Sequence, residues 1–214
     1  MTPGPSAGTT TPRSYFDRVY AGVDDPWGFR TRWYERRKQA VTVAALPAER
    51  YRRAFEPGCS VGALTLALAP RCDELVAVDL HPRAVSAART AVREAGHGDR
   101  VSVEVLDVGT GWPPGSFDLV VLSEIGYYFA GADLAGLVDR AARSLDPGGH
   151  LLACHWLRPE PDHGVDGASV HLAISAHPHC RRVVHHEDAG FVLDVWSVAA
   201  SGVPGEEPRA GRAE

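Results

Sequence analysis

A chain of 214 residues with 44% hydrophobic and 23% charged side chains has the size and balance of one soluble domain with a full core. Its 22 basic and 27 acidic side chains leave a net charge of −5, which supplies no global attraction to nucleic-acid phosphates or anionic membranes. No apolar run is long enough to span a bilayer and no secretory leader is visible. Cys59, Cys72, Cys154 and Cys180 form no CxxC pair, so a cytoplasmic protein with reduced thiols is expected.

Residues 1–12 and 201–214 are rich in Pro, Gly and small or charged side chains, and read as disordered tails around one domain at 13–200. Spacing predicts a helix over 14–20, then Gly22 to Pro26 and the aromatics Trp27, Phe29, Trp33 and Tyr34. A helix over 33–45 is closed by Pro47, and 51–55 reads as a short strand ending at Glu56-Pro57-Gly58. Leu64, Leu66 and Leu68 fit a buried helix. Leu75 to Val78 is an inner parallel strand ending at Asp79, and Pro82 opens a helix that Gly96 stops. Further strands are expected at 101–105 and 117–122, the first leading to Asp107. A helix carrying Leu134, Leu137, Val138, Ala141 and Leu145 follows, with Asp133 as its cap, and Asp146-Pro147-Gly148-Gly149 breaks it. A strand over 150–155, a helix near 167–174 and strands near 181–185 and 191–198 complete the reading. This alternation predicts an α/β fold, a Rossmann-like doubly wound and mostly parallel sheet with an N-terminal helical lid.

The chemistry centres on Glu56-Pro57-Gly58-Cys59-Ser60-Val61-Gly62-Ala63, set between a strand and a helix. Small residues at Gly58, Ser60 and Gly62 let a ligand approach the backbone. Alone, the loop is also compatible with a tight turn that binds nothing, or with a degenerate dinucleotide fingerprint. Asp79 at the next strand end suits two ribose hydroxyls, and Asp107 at the third suits an adenine amino group. Either is equally a polar strand end when taken singly.

Over 51–152 these motifs together resemble the class I S-adenosylmethionine methyltransferases: the glycine loop, Asp79, Phe117-Asp118-Leu119-Val120 and Leu145-Asp146-Pro147-Gly148-Gly149. The last of these is not expected in a nicotinamide dehydrogenase. Asp25-Pro26-Trp27, Tyr34-Glu35-Arg36 with Lys38, and Ser123-Glu124 with Tyr127-Tyr128 resemble the nodulation protein S family over 14–152. That group is similar to N-methyltransferases acting on the amino group of a deacetylated chitooligosaccharide. The resemblance implies S-adenosyl-L-methionine as cofactor, S-adenosyl-L-homocysteine as product, and a small acceptor such as an amino sugar. Nucleic acid and membrane partners are not expected, and the chain is expected as a monomer or homodimer.

Expected cofactor contacts are Trp27, Tyr34, Arg36, Glu56, Gly58, Ser60, Gly62, Asp79, Leu80, Asp107, Val108 and Ser123. Arg36 is assigned to the methionine carboxylate, and Trp27, Trp33 and Tyr34 to a lid over 15–36 that excludes water. An N-terminal helix packed only by its aromatics is the competing reading. Glu124, just past a strand end, is the expected acceptor-orienting or proton-accepting residue, against a surface or capping carboxylate. Of Tyr127 and Tyr128, one is assigned to the acceptor and the other to the core. His155, ahead of His163 and His171, is the favoured general base, with a satisfied imidazole as the default. His177, His179, Cys180, His185 and His186 would scatter over both faces of a strand, so no metal is expected. Methylation of another small natural product, and a binding subunit without catalysis, stay open.

Overall fold

The computed structural model describes residues 8–158 and 160–199. Seven strands form one sheet: β1 (Tyr51–Pro57), β2 (Cys72–Asp79), β3 (Val101–Val105), β4 (Phe117–Ser123), β5 (Leu145–Trp156), β6 (Cys180–Glu187) and β7 (Phe191–Val198). Their order is β3-β2-β1-β4-β5-β7-β6. All neighbours are parallel except that β7 runs antiparallel to both β5 and β6. The helices are α1 (Arg13–Val19), α2 (Trp33–Ala44), α3 (Ala63–Leu68), α4 (Pro82–Glu94), α5 (Gly131–Arg143) and α6 (Gly167–Ser175).

The period-2 alternation of the strands sorts their side chains onto two faces. Leu75, Ala77, Leu119 and Val121 pack with Leu64 and Leu68 of α3 and Val85, Ala88 and Val92 of α4. Val76, Val78, Val120 and Leu122 pack with Leu134, Leu137, Val138 and Ala141 of α5 and Val170 and Ile174 of α6. The sheet is therefore doubly wound. Strand order reverses between β1 and β4, so the segments leaving their carboxyl ends diverge and open the crevice where such sheets bind ligands.

Three expectations change. Within the expected tail, residues 8–12 pack on the domain: Gly8 N–H donates to the Gly164 carbonyl (2.9 Å), Thr11 N–H to the Tyr128 carbonyl (2.8 Å), and Thr11 is buried. Small hydroxyl residues dock here because their backbone pairs with the turn after β4. The tail over 201–214 and residues 1–7 lie outside the described residues. Asp146-Pro147-Gly148-Gly149 falls inside β5 as a bulge: Phe117 pairs with Leu145 and Leu119 with His150. Gly148 supplies the left-handed backbone (φ +81°) that this step requires. Asp133 does not cap α5, whose N-cap is Ala130; it lies in the first turn and accepts a hydrogen bond from Thr10 Oγ1 (2.5 Å). No helix among the described residues is long and apolar enough to cross a membrane.

Candidate active site

A cavity of about 650 Å³ opens at the carboxyl ends of β1, β2 and β4. Its size is that of a drug-sized ligand site. One half is built by the loop after β1. Gly58 has φ +74°, and a Cβ there would lie 2.7 Å from Ile125 Cδ1, so only glycine fits. The amides of Gly58 (2.7 Å) and Cys59 (2.9 Å) both donate to the Val78 carbonyl and tie the loop to β2. Gly62, also left-handed at φ +78°, is the N-cap of α3 and packs on Ala88; it shapes the loop without lining the cavity.

Asp79 lies at the end of β2, 9% exposed, and accepts hydrogen bonds from the amides of Ser60 (Oδ2, 2.9 Å) and His81 (Oδ1, 2.9 Å). Burial pushes its carboxyl up, against these two amides. An ionised carboxylate has about four acceptor sites, so the two amides leave acceptor capacity for a ligand's hydroxyls. Glu56 Oε2 accepts from Thr65 Oγ1 (2.6 Å), and full burial pushes its carboxyl up to about 8. Leu80, Asp107 and Val108 line the same half, with Asp107 Oδ1 bonded to the Gly109 amide (2.8 Å).

The N-terminal segment roofs this half. Tyr20 hydroxyl and Ser60 Oγ are 2.8 Å apart, Tyr20 stacks on His81 at 4.7 Å, and Trp27 meets Tyr20 edge-on at 5.4 Å. Arg30 donates to the Val61 carbonyl (2.6 Å). Trp27 and Tyr34 line the cavity, as the sequence suggests. Trp33 does not: it is 71% exposed. Arg36 is also turned away; its Nη1 donates to the Thr31 carbonyl (2.5 Å) and its guanidinium lies 5.9 Å from the Trp33 ring centre. Residues 33 and 36 share the outer face of α2, which removes Arg36 from the expected contacts.

The other half is charged. Glu124 follows β4 in a left-handed conformation (φ +57°), unusual for a non-glycine residue. Its Oε2 accepts from the Tyr127 hydroxyl (2.9 Å) and its Oε1 from the Trp156 amide (3.0 Å). Lys38 Nζ stands 3.3 Å from Glu124 Oε1 and 2.9 Å from Glu35 Oε2, with its side chain 3% exposed. The Glu35 contact is close but poorly aligned: Lys38 Nζ, Glu35 Oε2 and the Tyr34 hydroxyl are buried without a hydrogen-bond partner. Burial pushes the Glu124 carboxyl up, with Lys38 opposing it. Burial alone would lower Lys38, but Glu124 and Glu35 together hold it above its ordinary value. Ser123 lines the cavity beside Glu124. Tyr127 stacks on His163 (3.8 Å, 14°), while Tyr128 packs on Tyr15 and Phe16; both tyrosines are buried and both line the cavity.

His155 is fully buried behind the Gly126 turn and does not line the cavity. Its Nε2 accepts the Gly126 amide (3.0 Å) and its Nδ1 faces His171 Nε2 (3.1 Å), which leaves no lone pair for a substrate proton. It is therefore not the general base. His163 does line the cavity, and burial lowers it to about 4. Among the described residues no group of three His, Cys, Asp or Glu side chains is placed to hold a metal; His185 turns to Asp194 and His186 to Asp188.

Glu35 and Lys38 were not assigned a role by the sequence. The signal was present: α2 buries Glu35, Lys38 and Thr42, a polar stripe at helical spacing. A helix that buries its polar side needs a polar cavity to face.

The methyltransferase domain family matches residues 55–153. A chain from Pseudomonas syringae assigned as a methyltransferase is 44% identical over 78% of this chain and 99% of its own, with a TM-score of 0.67. Nodulation protein S from Rhizobium tropici is 34% identical over 132 residues, 61% of this chain; the chain spans 54% of that relative's length. The crystal structure of the N-methyltransferase NodS from Bradyrhizobium japonicum WM9 with S-adenosyl-L-homocysteine shares the fold at 24% identity (TM-score 0.74, covering 86% of this chain and 97% of that one). Fold and site thus define a class I S-adenosylmethionine-dependent methyltransferase domain. The chain belongs to the methyltransferases, as its 44% identity over 99% of the Pseudomonas syringae chain shows, and within them it is similar to nodulation protein S.

Proposed function

We propose that the chain transfers a methyl group from S-adenosylmethionine to the amine of a small acceptor, with an amino sugar or deacetylated oligosaccharide as the first class to test. The observation that carries this reading is the charge of the acceptor half. Glu35 and Glu124 face a single Lys38, so two carboxyl groups share one buried cation beside the cofactor loop. Buried charge requires compensation, and an ammonium group supplies it. The Bradyrhizobium japonicum protein of the same fold is an N-methyltransferase, which supports the same acceptor chemistry.

The residues of the first half suit the cofactor. In this reading Asp79 accepts the ribose hydroxyls, the Gly58 loop admits the ligand against backbone and Asp107 meets the base; the lining of one cavity by all three supports it. When bound, S-adenosylmethionine supplies an electrophilic methyl carried by a sulfonium. Glu124 holds the acceptor nitrogen and takes the proton it sheds, and the Tyr127 hydroxyl fixes the orientation of that carboxylate. Lys38 opposes the upward push of burial on the Glu124 carboxyl and so favours its ionised form. Trp27, Phe29 and Tyr20 shield the site from water.

Calorimetry against S-adenosylhomocysteine and NAD tests the cofactor, and mass spectrometry of glucosamine and deacetylated chitooligosaccharides tests the acceptor. Micromolar binding of the first cofactor alone, with methyl gain on free amines and none on their N-acetylated forms, is expected. Binding of NAD alone overturns the cofactor assignment. Methyl gain on hydroxyl acceptors lacking an amine overturns the amine assignment.

A further inference from the structure

Behind the acceptor half runs a chain of buried polar groups that the transfer itself does not use. Gly126 N–H meets His155 Nε2 (3.0 Å), His155 Nδ1 meets His171 Nε2 (3.1 Å), and His171 Nδ1 meets Asp194 Oδ2 (2.6 Å). The chain ends at the outer strand β6, where His185 Nδ1 lies 2.7 Å from Asp194 Oδ1 and Arg182 Nη1 3.4 Å away. His155, His171 and Asp194 are all buried, and the chain crosses from the turn after β4 through β5 and α6 to β7.

Proton positions along it follow from one fixed donor. The Gly126 amide can only donate, so His155 Nε2 is bare. In a neutral imidazole the proton then sits on Nδ1, which donates to His171 Nε2. His171 therefore carries its own proton on Nδ1 and donates to Asp194. Every bond is satisfied with two neutral histidines and one anionic carboxylate. Burial drives His155 far below its ordinary value, and the Lys38 cation adds to it, so it stays neutral. Burial disfavours the Asp194 anion, but the hydrogen bonds from His171 and His185 outweigh it and hold the carboxyl low.

The anchored amide is the hinge of the acceptor half. Gly126 opens the turn Gly126–Tyr128, two residues beyond Glu124 with its left-handed backbone. A Cβ at Gly126 would lie 2.9 Å from His155 Nε2 and 2.5 Å from Val170, so the turn is pressed onto the imidazole. Tyr127 also packs edge-on against His155 at 5.4 Å. We propose that Asp194 and His171 are positioning residues that lock the tautomer of His155, and that His155 thereby holds the Gly126 turn and with it Glu124 and Tyr127. The positioning consequence rests on Glu124 and Tyr127 facing the acceptor, whereas the tautomer lock does not.

The test compares wild type with His155→Leu, which cannot accept the amide, and His155→Gln, whose side-chain oxygen can. Nitrogen NMR of the wild-type histidines is expected to show His155 and His171 neutral and protonated on Nδ1. Protonation of His155 on Nε2, or a cationic His155 at neutral pH, overturns the proposal whether or not either variant folds. Gly126 amide exchange is expected to quicken by about tenfold to a hundredfold in His155→Leu and to recover in His155→Gln. Equal exchange in wild type and His155→Leu overturns it. These readouts need no acceptor, so they stand apart from the acceptor assay. Where the acceptor is methylated, kcat is expected to fall in His155→Leu with S-adenosylhomocysteine affinity within about twofold, and to return in His155→Gln. Unchanged kcat in His155→Leu overturns the positioning role alone.

Discussion

At the ends of β1 and β2, Glu56, Ser60 and Asp79 each hold hydrogen bonds of good geometry, whereas beside Glu124 three buried polar atoms hold none. The first region is finished before a ligand arrives: its glycines and amides are fixed by neighbours in the same loop and the next strand. The second sets two carboxyl groups against one cation and is assembled from α2, the turn after β4 and the end of β5. The contrast fits their tasks. Under the proposed function a finished half suits the cofactor, and a half with unpaired groups suits an acceptor that satisfies them.

Substitutions separate the two regions. The largest effect is expected for Glu124→Gln, which keeps the shape and removes the charge and the proton acceptor. Turnover should fall by about a hundredfold or more, while S-adenosylhomocysteine affinity measured by calorimetry stays within about twofold. Asp79→Ala should do the reverse, weakening S-adenosylhomocysteine by about tenfold to a hundredfold in the same measurement. If both variants lose cofactor affinity equally, the two regions are one site and the comparison fails.

Lys38→Met sharpens the charge argument. Burial already raises the Glu124 carboxyl and Lys38 opposes that rise, so activity is lost as pH falls through the raised value. Without Lys38 the acid limb of the kcat/KM profile should move to higher pH. An unmoved limb would separate Glu124 from the titration.

Glu56→Gln probes the satisfied region and should be the mildest. Its carboxyl is held at about 8 against an ordinary 4.5, so the folded chain keeps a proton that the unfolded chain releases. Its contribution is present below 4.5 and is lost as pH rises toward about 8. Thermal unfolding should therefore show the variant gaining on wild type between pH 5 and pH 8. A constant difference would place the Glu56 proton elsewhere.

Much of the architecture was legible because its causes are local. The strand at Val101–Val105 declares itself by alternation, and Phe191–Val198 is legible even beyond the part that resembles known methyltransferases. The left-handed positions of the nucleotide loop fall on Gly58 and Gly62, and Ser60 is small enough to adopt the same backbone. Asp146-Pro147-Gly148-Gly149 misled, because the same Pro and Gly signals that end a helix also make a bulge in a strand. The acceptor half was harder. Glu35, Lys38 and Thr42 form a polar stripe along α2, but no local signal says which distant segment that stripe meets. His155 at a strand end reads as a base until the Gly126 amide is seen to occupy it.

The sequence alone determined the alternating strands and helices, the glycine loop, and the acid at the end of β2, since each is set by periodicity or by backbone conformation within a few residues. Only the tertiary structure decided that Lys38 and Glu35 meet Glu124, that Arg36 and Trp33 face solvent, and that His155 is bound rather than reactive. Those outcomes depend on burial and on contacts between segments far apart in the chain. A buried charge has no local signature until the partner that compensates it has been brought alongside.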